Sequence, residues 1–326
     1  MPANLVGLVL TPAGVSPPES LIEGLTQLVT LHVASTAEEI VDVIQDVDFI
    51  IVLGRGELKN VLEGQSDWPR RLRWIAQSGI GVDGLLFPRL IDSDVIVTNM
   101  RGVSMYGTAM AEFAFASIML FAKKMLDIER HRADRQWTRV RHALLHGQTV
   151  GIVGFGTIGR ELARLAAGFG MDVVATKRHP DGDAPPGVTI YPSNELDSVL
   201  SVSDYLAVCA PRTAETAKLI GAREIALMKP GAVIVNVARG GMVDEPALRA
   251  ALISGHLGGA SLDVFETEPL PADDPLWTTP NLFISPHMSA FVDIDPIEIG
   301  EAMLDNVRRF VNGEELVRVV DKRLGY

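Results

Sequence analysis

Residues 149–175 restrict the fold more than any other stretch. They read Thr149-Val-Gly-Ile-Val153, then Gly154-Phe-Gly156-Thr157-Ile158-Gly159, then a run with Leu162, Leu165 and Phe169 in line with Ile158, then Val173-Val-Ala175. A short apolar run, glycines spaced Gly-x-Gly-x-x-Gly, an amphipathic helix and a second apolar run predict two parallel strands joined by a crossover helix. Glycines here allow a tight turn and let a pyrophosphate approach the N–H groups of a helix start. The alternative is a purely structural strand-to-helix turn. The same spacing recurs at Gly79-Gly81-Gly84 without that setting. Pro88 follows closely, leaving room only for a short helix, and the next apolar run ends in Val97-Thr-Asn99 rather than an acid. This first copy reads as a loop of exposed backbone N–H groups at a helix start, suited to a small anion such as a carboxylate, or as a plain turn.

Apolar runs alternate with stretches of helical period along the whole chain. Val6–Leu10, Phe49–Leu53, Trp74–Ala76 and Val95–Val97 predict strands of a first unit. Val150–Val153, Val173–Ala175, Tyr205–Val208, Ala232–Val235, Gly259–Leu262 and Leu282–Ile284 predict a second series. The expected class is α/β, with a doubly wound parallel sheet in each of two domains sharing a cleft, since 326 residues are long for one compact domain. A long helix is expected from Ser104 to about Arg132, with Met110, Phe113, Ile118, Phe121 and Met125 near helical spacing. It is either an inter-domain core helix or partly a subunit contact. A last helix, from about Asp295 to Phe310, should stop at Asn312-Gly313.

Composition excludes several function classes. Acidic residues outnumber basic ones, 41 to 29, for a net charge of -12, a field that repels a phosphate backbone. No nucleic-acid partner is therefore expected. The single cysteine, Cys209, cannot form an internal disulfide. The first residues lack a basic segment leading into an apolar run, and Ala109–Ala122 is short for a bilayer span and contains Glu112. A cytoplasmic protein with no membrane partner and no bound metal is expected.

Chemistry gathers after the predicted strands of the second series. Eighteen residues beyond Gly159, where an acid would meet ribose hydroxyls, stand Lys177 and Arg178. Cations there suit a 2′-phosphate, so NADP is preferred and NAD remains possible; the alternative is a solvated basic turn. Asn236-Val237-Ala-Arg239-Gly240-Gly241, Asp263-Val-Phe-Glu266-Thr-Glu268-Pro269 and Ser285-Pro-His287 each follow a strand. Parallel strands would bring Arg239, Glu268 and His287 to one sheet edge. Separately, each could be a surface cation, one charge among several and a satisfied loop histidine.

These segments together resemble the D-isomer-specific 2-hydroxyacid dehydrogenase family, which includes glyoxylate/hydroxypyruvate reductases. The resemblance spans nearly the whole chain, through Gln77-Ser78-Gly79-Ile80-Gly81-Val-Asp83, Thr98-Asn99, Ala111-Glu112-Phe113, Val150–Gly159, Val235–Gly240, Leu262–Pro269 and Ser285–His287. It implies a Rossmann nucleotide domain over 101–288, inserted into a flavodoxin-like substrate domain made of 1–100 and 289–326. Hinges are expected near Asn99–Gly102 and Met288–Ala290, and a homodimer through the Ser104–Arg132 helix.

The resemblance also assigns roles. His287 would protonate the carbonyl oxygen of a small 2-keto acid such as glyoxylate or hydroxypyruvate as a nicotinamide hydride reaches its carbon, giving the D-2-hydroxy acid. An imidazole, with an ordinary pKa near 6.5, suits that exchange, and a neighbouring carboxylate keeps it protonated. Glu268 aligns with that carboxylate, with Glu266 as nearby rival. Arg239 would bind the substrate carboxylate, a task suited to a forked guanidinium. Ser78, Gly79, Ile80 and Gly81 would form a second carboxylate site through backbone N–H groups. Gly154, Gly156, Thr157, Ile158, Gly159, Lys177, Arg178, Ala210, Pro211, Val237 and Asp263 would bind the dinucleotide, with Asp263 facing the nicotinamide amide and Ala210-Pro211-Arg212 along the adenosine end.

Lys177 and Arg178 in place of the acid are one departure from the family pattern, and residues 100–101 are another. Met100 and Arg101 stand where many relatives carry small residues and proline, and Arg55 could face the cleft or be a solvated loop cation. Glu268 disfavours a formate dehydrogenase, which carries glutamine there. A chain ending soon after the last helix, without extra cations, disfavours a 3-phosphoglycerate dehydrogenase. A dinucleotide-sensing, corepressor-like binding protein with little turnover is the alternative from another class.

Overall fold

The computed structural model describes residues 5–54, 57–180, 184–292 and 297–326. Arg55 lies outside the described residues. The chain divides into two compact units, Met1–Val103 with Ile294–Tyr326, and Ser104–Asp293. Both divisions stand a few residues later than the expected 100/101 and 288/289. The reason is local hydrogen bonding. Met100 N–H donates to Gly79 and Val103 N–H to Met100, tying this turn to the first unit. Met288 and Ser289 N–H groups donate to Asp263, which ties that turn to the second.

The first unit is a five-stranded parallel sheet of β1 (Val6–Leu10), β2 (Thr30–Ala34), β3 (Phe49–Val52), β4 (Trp74–Gln77) and β5 (Ile96–Thr98), in the order β2-β1-β3-β4-β5. This is the flavodoxin-like order. β3 is buried at every position, as expected of a central strand covered on both faces. Leu8, Ile50, Ile75 and Val97 pack with Ile44, Leu62 and Leu90 from the helical side. On the other face Phe310, from the helix Ile297–Asn312, packs on Phe49 and Trp74 with ring centroids 5.5 and 5.3 Å apart. That helix stops before Gly313, whose φ of +72° is left-handed.

The second unit is a seven-stranded parallel sheet. Its strands are β6 (Thr149–Val153), β7 (Asp172–Lys177), β8 (Val188–Pro192), β9 (Tyr205–Val208), β10 (Val233–Asn236), β11 (Gly259–Leu262) and β12 (Leu282–Ile284). The order is β12-β11-β10-β9-β6-β7-β8, so the winding direction reverses between β6 and β9. Ligands of open α/β sheets bind at such a switch point, beyond the strands' C-terminal ends.

Three expectations need correction. β2 and β8 were not anticipated; both are sheet edges, with little of the full burial that marks inner strands. The long helix is two, Ser104–Ala122 and Met125–Ala133, because Lys124 adopts a left-handed φ of 54° between them. The apolar spacing continues through the break to Met125, so periodicity could not reveal it. At 19 residues the first of these helices is also long and apolar enough for a bilayer span, unlike the 14-residue stretch read from sequence. It packs as an interior helix. Ala111, Ala114 and Ile118 are fully buried in a cluster with Leu162, Ala163 and Ala166 of the helix Thr157–Gly168 and with Val235 of β10.

Candidate active site

The glycine loop after β6 has the shape a dinucleotide needs. Gly154 has a φ of +98°, and a Cβ there would lie 2.6 Å from the Ala210 backbone. A Cβ on Gly159 would stand 2.5 Å from the Gly154 carbonyl oxygen. Both positions therefore need glycine, one to admit the loop after β9 and one to bring helix against strand. Around Gly156 the space is open, and no side chain caps the helix Thr157–Gly168 that begins after it. The N–H groups of Thr157, Ile158 and Gly159 lie in the first helical turn, where intrahelical acceptors are lacking and a phosphate gains most. Lys177 ends β7 and Arg178 follows it, at the position where an NAD site carries an acid. The residues present fit a nicotinamide dinucleotide.

Val237, expected among the cofactor contacts, is buried. Its side chain is 1% exposed in the core cluster with Val233 and Val235, leaving only its backbone for a ligand.

The residues after β10, β11 and β12 form one interlocked edge. Asn236, Leu262 and Ile284 are in register as the last residues of these strands. Asn236 folds the first loop on itself: its Oδ1 accepts from Ala238 N–H and its Nδ2 donates to the Arg239 carbonyl, both at 3.0 Å. A Cβ on Gly240 would lie 1.7 Å from the Phe265 carbonyl oxygen, so the Arg239 loop sits directly on the loop after β11. Arg239 is half-buried and its Nη1 donates to the Ala238 carbonyl at 2.7 Å.

His287 and Glu268 meet directly. His287 Nδ1 is 2.8 Å from Glu268 Oε2, and Glu268 Oε1 accepts from Phe265 N–H at 3.0 Å. The imidazole side chain is 34% exposed and the carboxylate 16%, so the ring reaches solvent while its partner is shielded. Glu266, the rival acid, turns elsewhere. It lies 3.6 Å from Lys218 Nζ, and its backbone N–H donates to Glu245 at 2.6 Å. Lys218 is held above the usual lysine range by its bond to Asp244 and by the charge of Glu266. Glu245 is pushed up by burial, with the neighbouring carboxylates of Glu266 and Asp274 adding to it.

Asp263, expected to face the nicotinamide amide, has its carboxylate fully buried beneath the His287 loop. Its Oδ1 accepts from Ser285 Oγ at 2.6 Å and Met288 N–H at 2.8 Å, and its Oδ2 from Ser289 N–H at 2.9 Å. The Asp263 carbonyl also takes the His287 N–H at 2.8 Å. These bonds hold His287 at a φ of 53°, a left-handed conformation uncommon outside glycine. Sequence reasoning noted Asn236 and Ser285 in their motifs without a role. Their polar character at strand ends was the available signal.

In the first unit the anion loop is also well defined. Ser78 N–H donates to Val52, Ser78 Oγ accepts from Gly54 N–H at 3.0 Å, and Asn99 Nδ2 donates to the Ile80 carbonyl at 2.6 Å. The N–H groups of Ile80 and Gly81 have no acceptor among the described residues and are half-buried, as an anion site requires. The helix after it, Pro88–Ile91, is four residues long. Among the described residues no three His, Cys, Asp or Glu side chains are grouped as metal ligands would be.

Comparison with known proteins agrees with this geometry. Residues 115–289 match the family model "D-isomer specific 2-hydroxyacid dehydrogenase, NAD binding domain". A glyoxylate reductase of Korarchaeum cryptofilum is 35% identical over 252 residues, 75% of this chain and 74% of that protein. A D-isomer specific 2-hydroxyacid dehydrogenase of Xanthobacter autotrophicus, solved with NADPH and MES, superposes with a TM-score of 0.79 at 30% identity, over 98% of this chain and 99% of that one. An NADPH-dependent glyoxylate/hydroxypyruvate reductase of Sinorhizobium meliloti, solved with NADP and sulfate, gives a TM-score of 0.82 at 26% identity, over 99% of this chain and 100% of that one. With a Rossmann sheet, a glycine cradle and a histidine–carboxylate pair on one sheet edge, the chain belongs to the D-isomer specific 2-hydroxyacid dehydrogenase family of nicotinamide-dependent oxidoreductases.

Proposed function

We propose that the chain reduces a small 2-keto acid, with glyoxylate and hydroxypyruvate as the type, to the D-2-hydroxy acid, using NADPH in preference to NADH. The observation that carries this reading is the 2.8 Å bond between His287 Nδ1 and Glu268 Oε2. Nδ1 bonds the carboxylate, and Nε2 is assigned the proton for the substrate oxygen. Glu268 orients the ring, while Asp263 fixes the loop that carries it. Arg239 is the proposed partner of the substrate carboxylate, and a carboxylate is likewise the proposed ligand of the Ile80 and Gly81 N–H groups. The nicotinamide, when bound, supplies the hydride. Lys177 and Arg178 support NADPH, as do the NADP and NADPH complexes of the relatives.

The direct test follows NADPH absorbance after adding glyoxylate, hydroxypyruvate and a panel of other 2-keto acids. No oxidation with any of them overturns the proposal. His287→Ala should lower kcat by at least about a hundredfold, the usual worth of a positioned proton donor, while NADPH affinity stays within about twofold. An unchanged cellular function in that variant would favour a binding protein instead.

A homodimer through the Ser104–Arg132 stretch is part of the proposal. Met125, Ile128, Trp137 and Leu144 expose apolar side chains in it or near it in sequence, Trp137 completely. Such exposure supports an interface, and light scattering would measure the mass.

A further inference from the structure

The second-strand acid typical of an NAD site is missing from the end of β7, yet a carboxylate reaches that place from another loop. Arg178 Nη2 donates to Glu215 Oε2 at 2.7 Å. Arg178 directly follows the last residue of β7, whereas Glu215 lies seven positions beyond Val208, the end of β9. The pair therefore joins the loops after the second and fourth strands of the unit, on either side of the switch-point strand β6. The Glu215 loop is built rather than slack. Thr213 N–H donates to Thr216 Oγ1 at 2.7 Å, and Thr216 Oγ1 donates to the Pro211 carbonyl at 2.8 Å. Ala210, the second residue after β9, is the one that packs on Gly154.

We propose that Glu215 is a specificity-determining residue, a carboxylate that competes with a 2′-phosphate for the guanidinium of Arg178 and so moderates the preference for NADPH over NADH. This rests on the reading of Arg178 as a 2′-phosphate ligand. A guanidinium offers a phosphate two parallel N–H donors, and the bond to Glu215 occupies one of its terminal nitrogens. A doubly charged phosphate at Arg178 would also stand beside the Glu215 carboxylate, a like-charge contact. The Glu215 side chain is 77% exposed, so it yields at modest cost. An exposed pair of this kind penalises a competitor by roughly two- to fivefold in affinity. NADH carries no group that needs the guanidinium, so Glu215 should leave its binding untouched.

The experiment measures dissociation constants for NADPH and NADH by calorimetry on the full chain, for the wild type, Glu215→Gln, Arg178→Ala and the double variant. Expected is NADPH binding tighter by roughly two- to fivefold in Glu215→Gln, NADH unchanged, and no gain when Arg178 is already absent. If Arg178→Ala weakens NADPH but Glu215→Gln does not tighten it, the role of Glu215 is overturned and the NADPH reading survives. Equal tightening of both nucleotides, or a gain that persists without Arg178, also overturns it, since the effect is then general charge. If Arg178→Ala leaves NADPH affinity unchanged, the underlying reading falls and the proposal with it.

Discussion

The two glycine loops share a spacing and differ in almost everything that spacing is meant to secure. At Gly154 and Gly159 a side chain would collide with backbone at 2.6 and 2.5 Å, and a 12-residue helix follows. At Gly84 nothing lies within 4 Å of an added Cβ, at Gly79 the nearest atom is a side-chain nitrogen at 3.7 Å, and the following helix has four residues. The pattern is thus necessary in one place and permissive in the other. What separates them is the packing around the glycines: a strand reversal brings a neighbouring loop onto Gly154, and no such neighbour crowds Gly84.

The largest expected effect tests that difference directly. Gly154→Ala adds a methyl against the Ala210 backbone at a left-handed φ, a combined cost of about 3 kcal/mol, or roughly a hundredfold in NADPH affinity. Gly84→Ala should leave NADPH affinity within about twofold, since an open position adds no comparable packing cost. Equal losses in calorimetric titrations of both variants would break the contrast. A middle-sized effect is expected from Asn99→Ala, which removes the 2.6 Å bond to the Ile80 carbonyl. One lost hydrogen bond of about 1 kcal/mol should raise KM for the keto acid by roughly fivefold and leave the NADPH dissociation constant unchanged. A rise in the latter would mean that the first-unit loop serves nucleotide after all.

The smallest effect sharpens the contrast between helix starts. The helix Glu245–Ser254 is capped by Asp244, whose Oδ1 accepts from Ala247 N–H at 2.9 Å, unlike the uncapped helix after Gly156. That bond, reinforced by Lys218, holds the Asp244 carboxyl below its ordinary 3.8. A lowered folded-state value means stabilisation that is present above 3.8 and is lost as pH falls through the folded value. Asp244→Ala should therefore cost about 1 kcal/mol in denaturant melts at pH 7. The difference from wild type should shrink in acid.

Much of this was legible in the sequence where the physical signal is local. Inner strands such as β9 and β10 are buried at every position, and their apolar runs announce them. β2 and β8 were missed because an edge strand need not be apolar throughout. The break at Lys124 was hidden because a single left-handed residue leaves the apolar spacing intact. The site followed the same rule. Glu268 and His287 could be named from motifs, and their 2.8 Å contact agrees with that pairing. The bonds that Asp263 accepts were not legible because its neighbours in space, Met288 and Ser289, are far along the chain. Glu215 was missed for the same reason, lying 37 positions from the arginine it binds.

The buried carboxylate of Asp263 also bears on transplantation. A histidine moved alone into another parallel sheet would relax out of its left-handed backbone, because two neighbouring amides and a serine hydroxyl are what keep it there. Aspartate on one strand end and Ser-x-His on the next form a cassette that must travel whole. Conversely, evolution of this scaffold towards new substrates is free to alter residues around the imidazole but not the acid beneath it.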